Sequence, residues 1–323
     1  MNGVLLRSTA HCRTNARRYC VAVADRRFLP LLLALLTGVV GCHPGPPAPP
    51  IPTGSGGGLV YQLQGYADGR LDAVAGASAR FAVIDLARDG GDSYFTPAEI
   101  ARVRESGTTV LAYFEVGSIE SFRPDFAEVR ADPADLLLNE WPSWPGEHFV
   151  RYWEPSWWEV AVRPRLDRAL AAGFDGVYLD TPLAYEEIDL GLLDGEGRDE
   201  LGRRMVDLLV RVSEHVERAR PGFLVFPQNS PELLRHPGYL AAVDGIGLEE
   251  LFYEATDRPC SADYCRSNLA ATRELRKAGK TVLAVDYATD PENVAIACRR
   301  YREEGFEGYV TVRALDRISA PCR

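Results

Sequence analysis

Gly173-Phe-Asp-Gly-Val-Tyr-Leu-Asp180 decides how this chain folds. Gly173 reads as the end of a helix, Asp175-Gly176 as a tight turn, and Val177 to Leu179 as a short buried strand that delivers a carboxylate at its carboxyl end. Asp is seldom buried unless its charge is paired or used, so Asp180 asks for a function. The pattern recurs in Phe81-Ala-Val-Ile-Asp85, Thr109-Val-Leu-Ala-Tyr113-Phe-Glu115, Gly245-Ile-Gly-Leu-Glu249 and Thr281-Val-Leu-Ala-Val-Asp286. Apolar strands that each end in an acid or a tyrosine look like the rim of one site.

Working outward, strands are expected at about 59–64, 81–85, 109–115, 176–180, 223–227, 245–249, 281–286 and 308–312. Helical patterns alternate with them. Thr96-Pro-Ala-Glu99 opens one helix as a capping box with Pro at its first position. Leu201, Met205, Leu208, Leu209, Val212 and Val216 share a face of a second. Leu269 to Ala278 and Val294 to Glu304 give two more, stopped by Gly279 and Gly305. Eight strands with intervening helices fit a (β/α)8 TIM barrel of the α/β class, in which chemistry sits at the carboxyl ends of the strands. An open doubly wound sheet is the alternative, but no glycine-rich phosphate fingerprint follows the first strand.

The amino-terminal region has a different character. Arg26-Arg27 precede an apolar run from Phe28 to Gly41, too short for a permanent span but suited to a secretory signal. It closes on Val39-Val-Gly-Cys42, which resembles a bacterial lipoprotein signal. The expected division is a cleaved signal region over 1–41, a lipidated Cys42 with a flexible linker over 42–58, and a single barrel over 59–323. An ordinary cleaved signal is the alternative. The linker is almost entirely Pro, Gly, Ala, Ser and Thr and cannot bury a core. On this reading the protein is exported and lipid-anchored in the cell envelope, at the outer membrane or cell surface, as a tethered monomer.

Residues 1–41 hold six arginines against Asp25, so their removal moves the formal charge from −10 to −15. That acidity argues against nucleic acid as a partner and suits a neutral or cationic substrate. Of seven cysteines, Cys12 and Cys20 would leave with the signal and Cys42 would carry lipid. The remaining Cys260, Cys265, Cys298 and Cys322 allow three pairings; the local one, Cys260 with Cys265 and Cys298 with Cys322, is favoured in an exported chain. Five histidines, none paired at ligand spacing, give no zinc pattern, and neither metal nor cofactor is expected.

The loop after the third strand carries all five tryptophans, Trp141, Trp144, Trp153, Trp157 and Trp158. Such rings suit the apolar faces of sugars in a groove, or else pin the loop to the barrel. Two carboxylates across a cleft are the minimum for glycoside hydrolysis. Asp180 ends the fourth strand and Glu249 the sixth, and both are expected to face the barrel mouth. Strand alternation turns one of Glu249 and Glu250 inward and the other away, and Glu249 is taken as the inward one. The competing view is that Asp180 and Glu249 form structural ion pairs.

The residues resemble glycoside hydrolase family 114, which includes endo-α-1,4-polygalactosaminidases. The resemblance covers most of 59–315. It is carried by Tyr61-Gln-Leu-Gln64, Ala112-Tyr-Phe-Glu-Val-Gly-Ser-Ile-Glu-Ser-Phe-Arg-Pro-Asp125, Trp144-Pro-Gly-Glu147, Gly173 to Asp180, Asn229 with Glu232-Leu-Leu234, and Glu249-Glu-Leu-Phe-Tyr253. It implies a (β/α)8 fold, cofactor-free hydrolysis of α-linked galactosamine-rich exopolysaccharide, and Asp180 and Glu249 as the catalytic pair. By position, Asp85, Tyr113, Glu120, Arg123 and Asn229 line the same pocket, and Asp286, Tyr61 and Trp144 join them as substrate-binding candidates. One departure stands out: where the family often has a second aspartate three residues after the first, this chain has Leu183. That favours a second reading, a polysaccharide-binding envelope lipoprotein that keeps the groove without turnover.

Overall fold

The computed structural model describes residues 58–322. The expected signal region, the lipidation site Cys42 and all of the linker before Gly58 lie outside the described residues. Eight parallel strands form a barrel: β1 (Leu59–Gln62), β2 (Phe81–Asp85), β3 (Thr109–Glu115), β4 (Gly176–Asp180), β5 (Leu224–Pro227), β6 (Gly245–Glu249), β7 (Thr281–Tyr287) and β8 (Glu307–Thr311). Strands β1 to β5 pair in sequence order, as do β6 to β8. The seam between β5 and β6 is closed by a parallel bridge from Gln228 to Gly247 and by Asn229 N–H donating to Gly247 O at 2.7 Å. At the other seam, Gly58 N–H donates to Glu307 Oε2 at 2.9 Å and Leu63 N–H to Leu315 O at 2.9 Å. The eight strands are those read from the sequence, with ends shifted by one or two residues.

Sequence explains the local order. The helix Arg163–Ala172 ends at Gly173, whose φ of 84° is the left-handed conformation that a side chain resists. Asp175 then accepts from Val110 N–H through Oδ2 at 3.0 Å, tying the turn to β3 before β4 begins. Thr96 and Glu99 form the reciprocal cap read from sequence, Thr96 N–H donating to Glu99 Oε2 at 2.9 Å. The long helix Arg198–Ala219 buries Leu201, Met205, Leu208, Leu209, Val212 and Val216 on one face. Each such side chain contributes about 1.5–3 kcal/mol by leaving water. The barrel interior is filled rather than open: Phe81 packs on Phe226 at 5.9 Å between ring centres, and Tyr178 on Tyr61 at 5.4 Å and Tyr113 at 6.5 Å.

The loop after β3 is not merely a loop. It folds into a small antiparallel sheet of Ser118–Glu120, Glu147–Val150 and Leu137–Glu140, with the middle range as the central strand. Clean alternation is missing there, because Pro, Gly and Trp interrupt it. Trp157 is fully buried with its indole N–H donating to Val116 O at 2.9 Å, and Trp158 is also buried, so those rings anchor the insertion. Trp144 alone among the five is exposed, at 43%. Cys260 bonds to Cys265 and Cys298 to Cys322, the local pairing. Among the described residues no helix is long and apolar enough to cross a membrane.

Candidate active site

Strand parity builds the site. Tyr178 fills the barrel interior, and two residues on Asp180 points the same way at the rim. Glu249 does so on β6. Asp180 Oδ1 accepts from Thr181 N–H at 2.6 Å, and its Oδ2 accepts from the Tyr113 hydroxyl. Glu249 Oε1 accepts from the Tyr287 hydroxyl, and Oε2 from the Gln228 amide and from Asn229 Nδ2 at 3.4 Å. Tyr61 donates to Gln228 Oε1 at 3.0 Å, which turns the Gln228 amide nitrogen towards Glu249. Every direct partner of the two acids is a neutral donor.

That choice of partners sets the electrostatics. Burial pushes the Asp180 carboxyl up to about 6 against the lowering effect of Tyr113 and Thr181. Burial and then the negative charge of Asp180 push Glu249 up to about 7, against Tyr287 and Asn229. Glu249 therefore senses the charge of Asp180. Such a pair can hold one proton between them near neutral pH, with Glu249 the better proton donor and Asp180 the better base.

The cleft over Glu249 has a volume of about 720 Å³. Asn229, Tyr287 and Leu183 line it, with Trp141 and Trp144 along one wall and Glu186, Glu187 and Glu232 among its acids. Arg313 lies over the Trp144 ring, 4.8 Å from its centre. Glu250 also borders the cleft, so alternation did not send it away. Its φ of 56° ends the extended geometry on which alternation depends.

The other expected site residues fall into two further places. Asp85, Glu120 and Arg123 form a buried cluster with Glu115 and Arg165. Arg123 Nη1 donates to Asp85 at 3.0 Å, its Nε to Glu120 Oε2 at 2.9 Å and its Nη2 to Glu115. Arg165 reaches Glu115 Oε2 at 3.3 Å and Asp125 at 3.0 Å. Asp286 is fully buried on the far side of β7, accepting from Phe252 N–H at 2.8 Å, Tyr253 N–H at 2.7 Å and the Tyr301 hydroxyl. Val285 lies level with the inward Glu249 in the sheet, so Val285 and Tyr287 share the inward parity of β7 and Asp286 has the opposite one. A one-residue change of parity exchanges faces.

Residues to which sequence reading gave no role include Gln228, Tyr287, Thr181, Glu186, Glu232 and Glu147. Tyr287 was legible in principle from the parity of β7. Glu147 was inside a quoted motif without a role; Ser118 Oγ lies 2.5 Å from its Oε1, and burial followed by the charge of Asp180 pushes it up to about 8. Among the described residues, the one group with metal-ligand spacing is Glu254, Cys260 and Cys265, and both sulfurs are spent in a disulfide.

Comparison with known proteins agrees with this fold. A protein of Deinococcus radiodurans is 37% identical over 258 residues, 80% of each chain, and one of Thermotoga maritima is 34% identical over 238 residues, 72% of this chain and 71% of that one. Among solved structures, the glycoside hydrolase domain of PelA from Pseudomonas aeruginosa superposes with a TM-score of 0.64 at 20% identity, covering 82% of this chain and 99% of that one. Ega3 of Aspergillus fumigatus, solved in complex with galactosamine, gives 0.62 at 17% identity over 83% and 96%. The model of glycoside-hydrolase family GH114 matches residues 47–323, and with a TIM-barrel fold in accord, the chain belongs to that family of glycoside hydrolases.

Proposed function

We propose that this glycoside hydrolase cleaves α-linked, galactosamine-rich polysaccharide, with Glu249 as general acid and Asp180 as the carboxylate that attacks or activates water. The observation that carries the assignment is the pair itself: two acids at the strand ends, the charge of one felt by the other, both held by neutral donors and with proton affinities raised towards neutrality. A cleft with Glu186, Glu187, Glu232, Glu249 and Glu250 on its walls suits a polymer bearing protonated amines, and the exposed Trp144 offers a face for a sugar ring. Ega3, a structural neighbour, was solved with galactosamine, which supports the same substrate class.

Leu183 lines the cleft and supports the second reading, binding without turnover. Incubating the purified protein with an α-1,4-galactosamine oligomer and assaying new reducing ends separates the two. Release by wild type and not by Asp180→Asn or Glu249→Gln is expected; tight binding with no release by wild type would establish the second. Export and lipidation at Cys42 belong to the same proposal, supported by the order of basic pair, apolar run and cysteine and by two disulfides in the barrel. A Cys42→Ala variant should move the protein from the membrane fraction to the soluble one.

A further inference from the structure

Thr181, directly after Asp180, has a φ of 59° and is fully buried. A β-branched residue in the left-handed region is a genuine outlier, costly unless its surroundings hold it there. The surroundings are specific. Thr181 Oγ1 accepts from Gly117 N–H at 3.0 Å, donates to Asp180 O at 2.8 Å, and lies 2.9 Å from Ser118 Oγ. Gly117 permits the approach, since any β-carbon there would come within 2.2 Å of Thr181 O. Ser118 in turn reaches Glu147 Oε1 at 2.5 Å, and Ser118 and Glu147 belong to adjacent strands of the inserted sheet. The result of holding Thr181 in this conformation is that its N–H points at Asp180 Oδ1 at 2.6 Å.

Hydrogen counting ties the direction of this chain to the state of Glu147: Ser118 donates to the ionised carboxylate and accepts from the protonated one. Ser118 has one hydroxyl hydrogen and Thr181 has one. If Thr181 donates to Asp180 O, its contact with Ser118 requires Ser118 to donate to it, and Ser118 can then only accept from Glu147. All three contacts are satisfied together when Glu147 is the protonated donor at the head. Burial and the nearby charge of Asp180 favour that form.

We infer that Glu147, Ser118 and Thr181 form a positioning relay, with a neutral Glu147 at its head, through which the inserted sheet fixes the Asp180 carboxylate for the reaction. This rests on the reading of Asp180 as a catalytic carboxylate. The relay residues touch no substrate in this scheme and act through Asp180.

The test measures kcat, KM and melting midpoint for Thr181→Val, Thr181→Ser, Ser118→Ala, Glu147→Gln and Glu147→Ala, beside Asp180→Asn, at pH 6 on the galactosamine oligomer. Thr181→Val and Ser118→Ala should lower kcat about tenfold to a hundredfold with KM within about twofold, as misplacement of a reacting group does. Thr181→Ser should restore most of the loss. Glu147→Gln, whose amide still donates, should retain far more activity than Glu147→Ala. If Ser118→Ala and any folded Thr181→Val protein keep kcat within about twofold of wild type while Asp180→Asn is inactive, the relay is overturned and the catalytic reading stands. A lowered melting midpoint with unchanged kcat would likewise make these residues structural only. Equal damage from Glu147→Gln and Glu147→Ala would overturn the donor assignment. Full activity of Asp180→Asn would overturn the catalytic reading itself.

Discussion

Two groups of acids sit at the mouth of the same barrel, and they differ in what holds them. Glu115 is buried, yet Arg123 and Arg165 together overcome the effect of burial and hold its carboxyl well below the usual range. Asp180 and Glu249 are buried to a lesser degree, but their direct partners are tyrosine hydroxyls, amides and a backbone N–H, and their proton affinities rise. Burial has the same sign in both groups; two guanidinium groups outweigh it at Glu115, but the share of Arg123 that reaches Asp85 does not, and that carboxyl is pushed up to about 6. Glu115, locked by two guanidinium groups, stays ionised at neutral pH, whereas Asp180 and Glu249, held by neutral donors, can exchange a proton near it. The first group is suited to holding the inserted sheet onto β2 and β3, the second to chemistry.

The largest test of this contrast is to remove one acid from the neutral-donor group. Glu249→Gln should lower kcat by about 10²–10⁴-fold, the usual share of a general acid, with the melting midpoint unchanged or raised. A fall in stability with activity intact would reverse the roles assigned to the two groups. In the other group, Arg123→Met leaves Asp85, Glu115 and Glu120 buried without their shared cation. The expected cost is about 3–5 kcal/mol of stability, measured by denaturant unfolding.

A smaller effect concerns pH. Activity requires Asp180 ionised and Glu249 protonated, so kcat/KM should be bell-shaped with limbs near about 6 and about 7. Tyr287 lowers the Glu249 carboxyl by donating to it, so Tyr287→Phe should move the alkaline limb to higher pH. The same raised affinities affect folding. A carboxyl whose proton affinity is higher folded than unfolded favours the folded state below its unfolded value and loses that contribution as pH rises through about 6 to about 7. The melting midpoint should therefore increase from pH 8 to pH 5.5, and an Asp180→Asn, Glu249→Gln double variant should flatten that slope. The smallest effect is expected at Trp144, where Trp144→Ala should raise KM several-fold, the loss of about 1 kcal/mol of stacking, and leave kcat near wild type.

The chain's own sequence determined the barrel, because apolar runs of strand length, glycine stops and a capping box are local signals, and each works through backbone conformation or burial. It also placed Asp180 and Glu249 at strand ends, since parity within a short strand is local too. What only tertiary structure decided is which neighbours those acids meet. Tyr113 lies in β3, Gln228 just after β5 and Tyr287 at the end of β7, and nothing in the local sequence of Gln228 or Tyr287 marks it as a donor to a carboxylate. The separation of Asp85, Glu120 and Arg123 into a locked cluster has the same origin: Arg165 arrives from the helix before β4 and claims Glu115. Asp286 shows how narrow the margin is, for it stands one residue out of phase with the inward face of β7, which Tyr287 occupies. Local sequence sets which way a strand residue points, but the charge a carboxyl carries is set by groups brought near it through space.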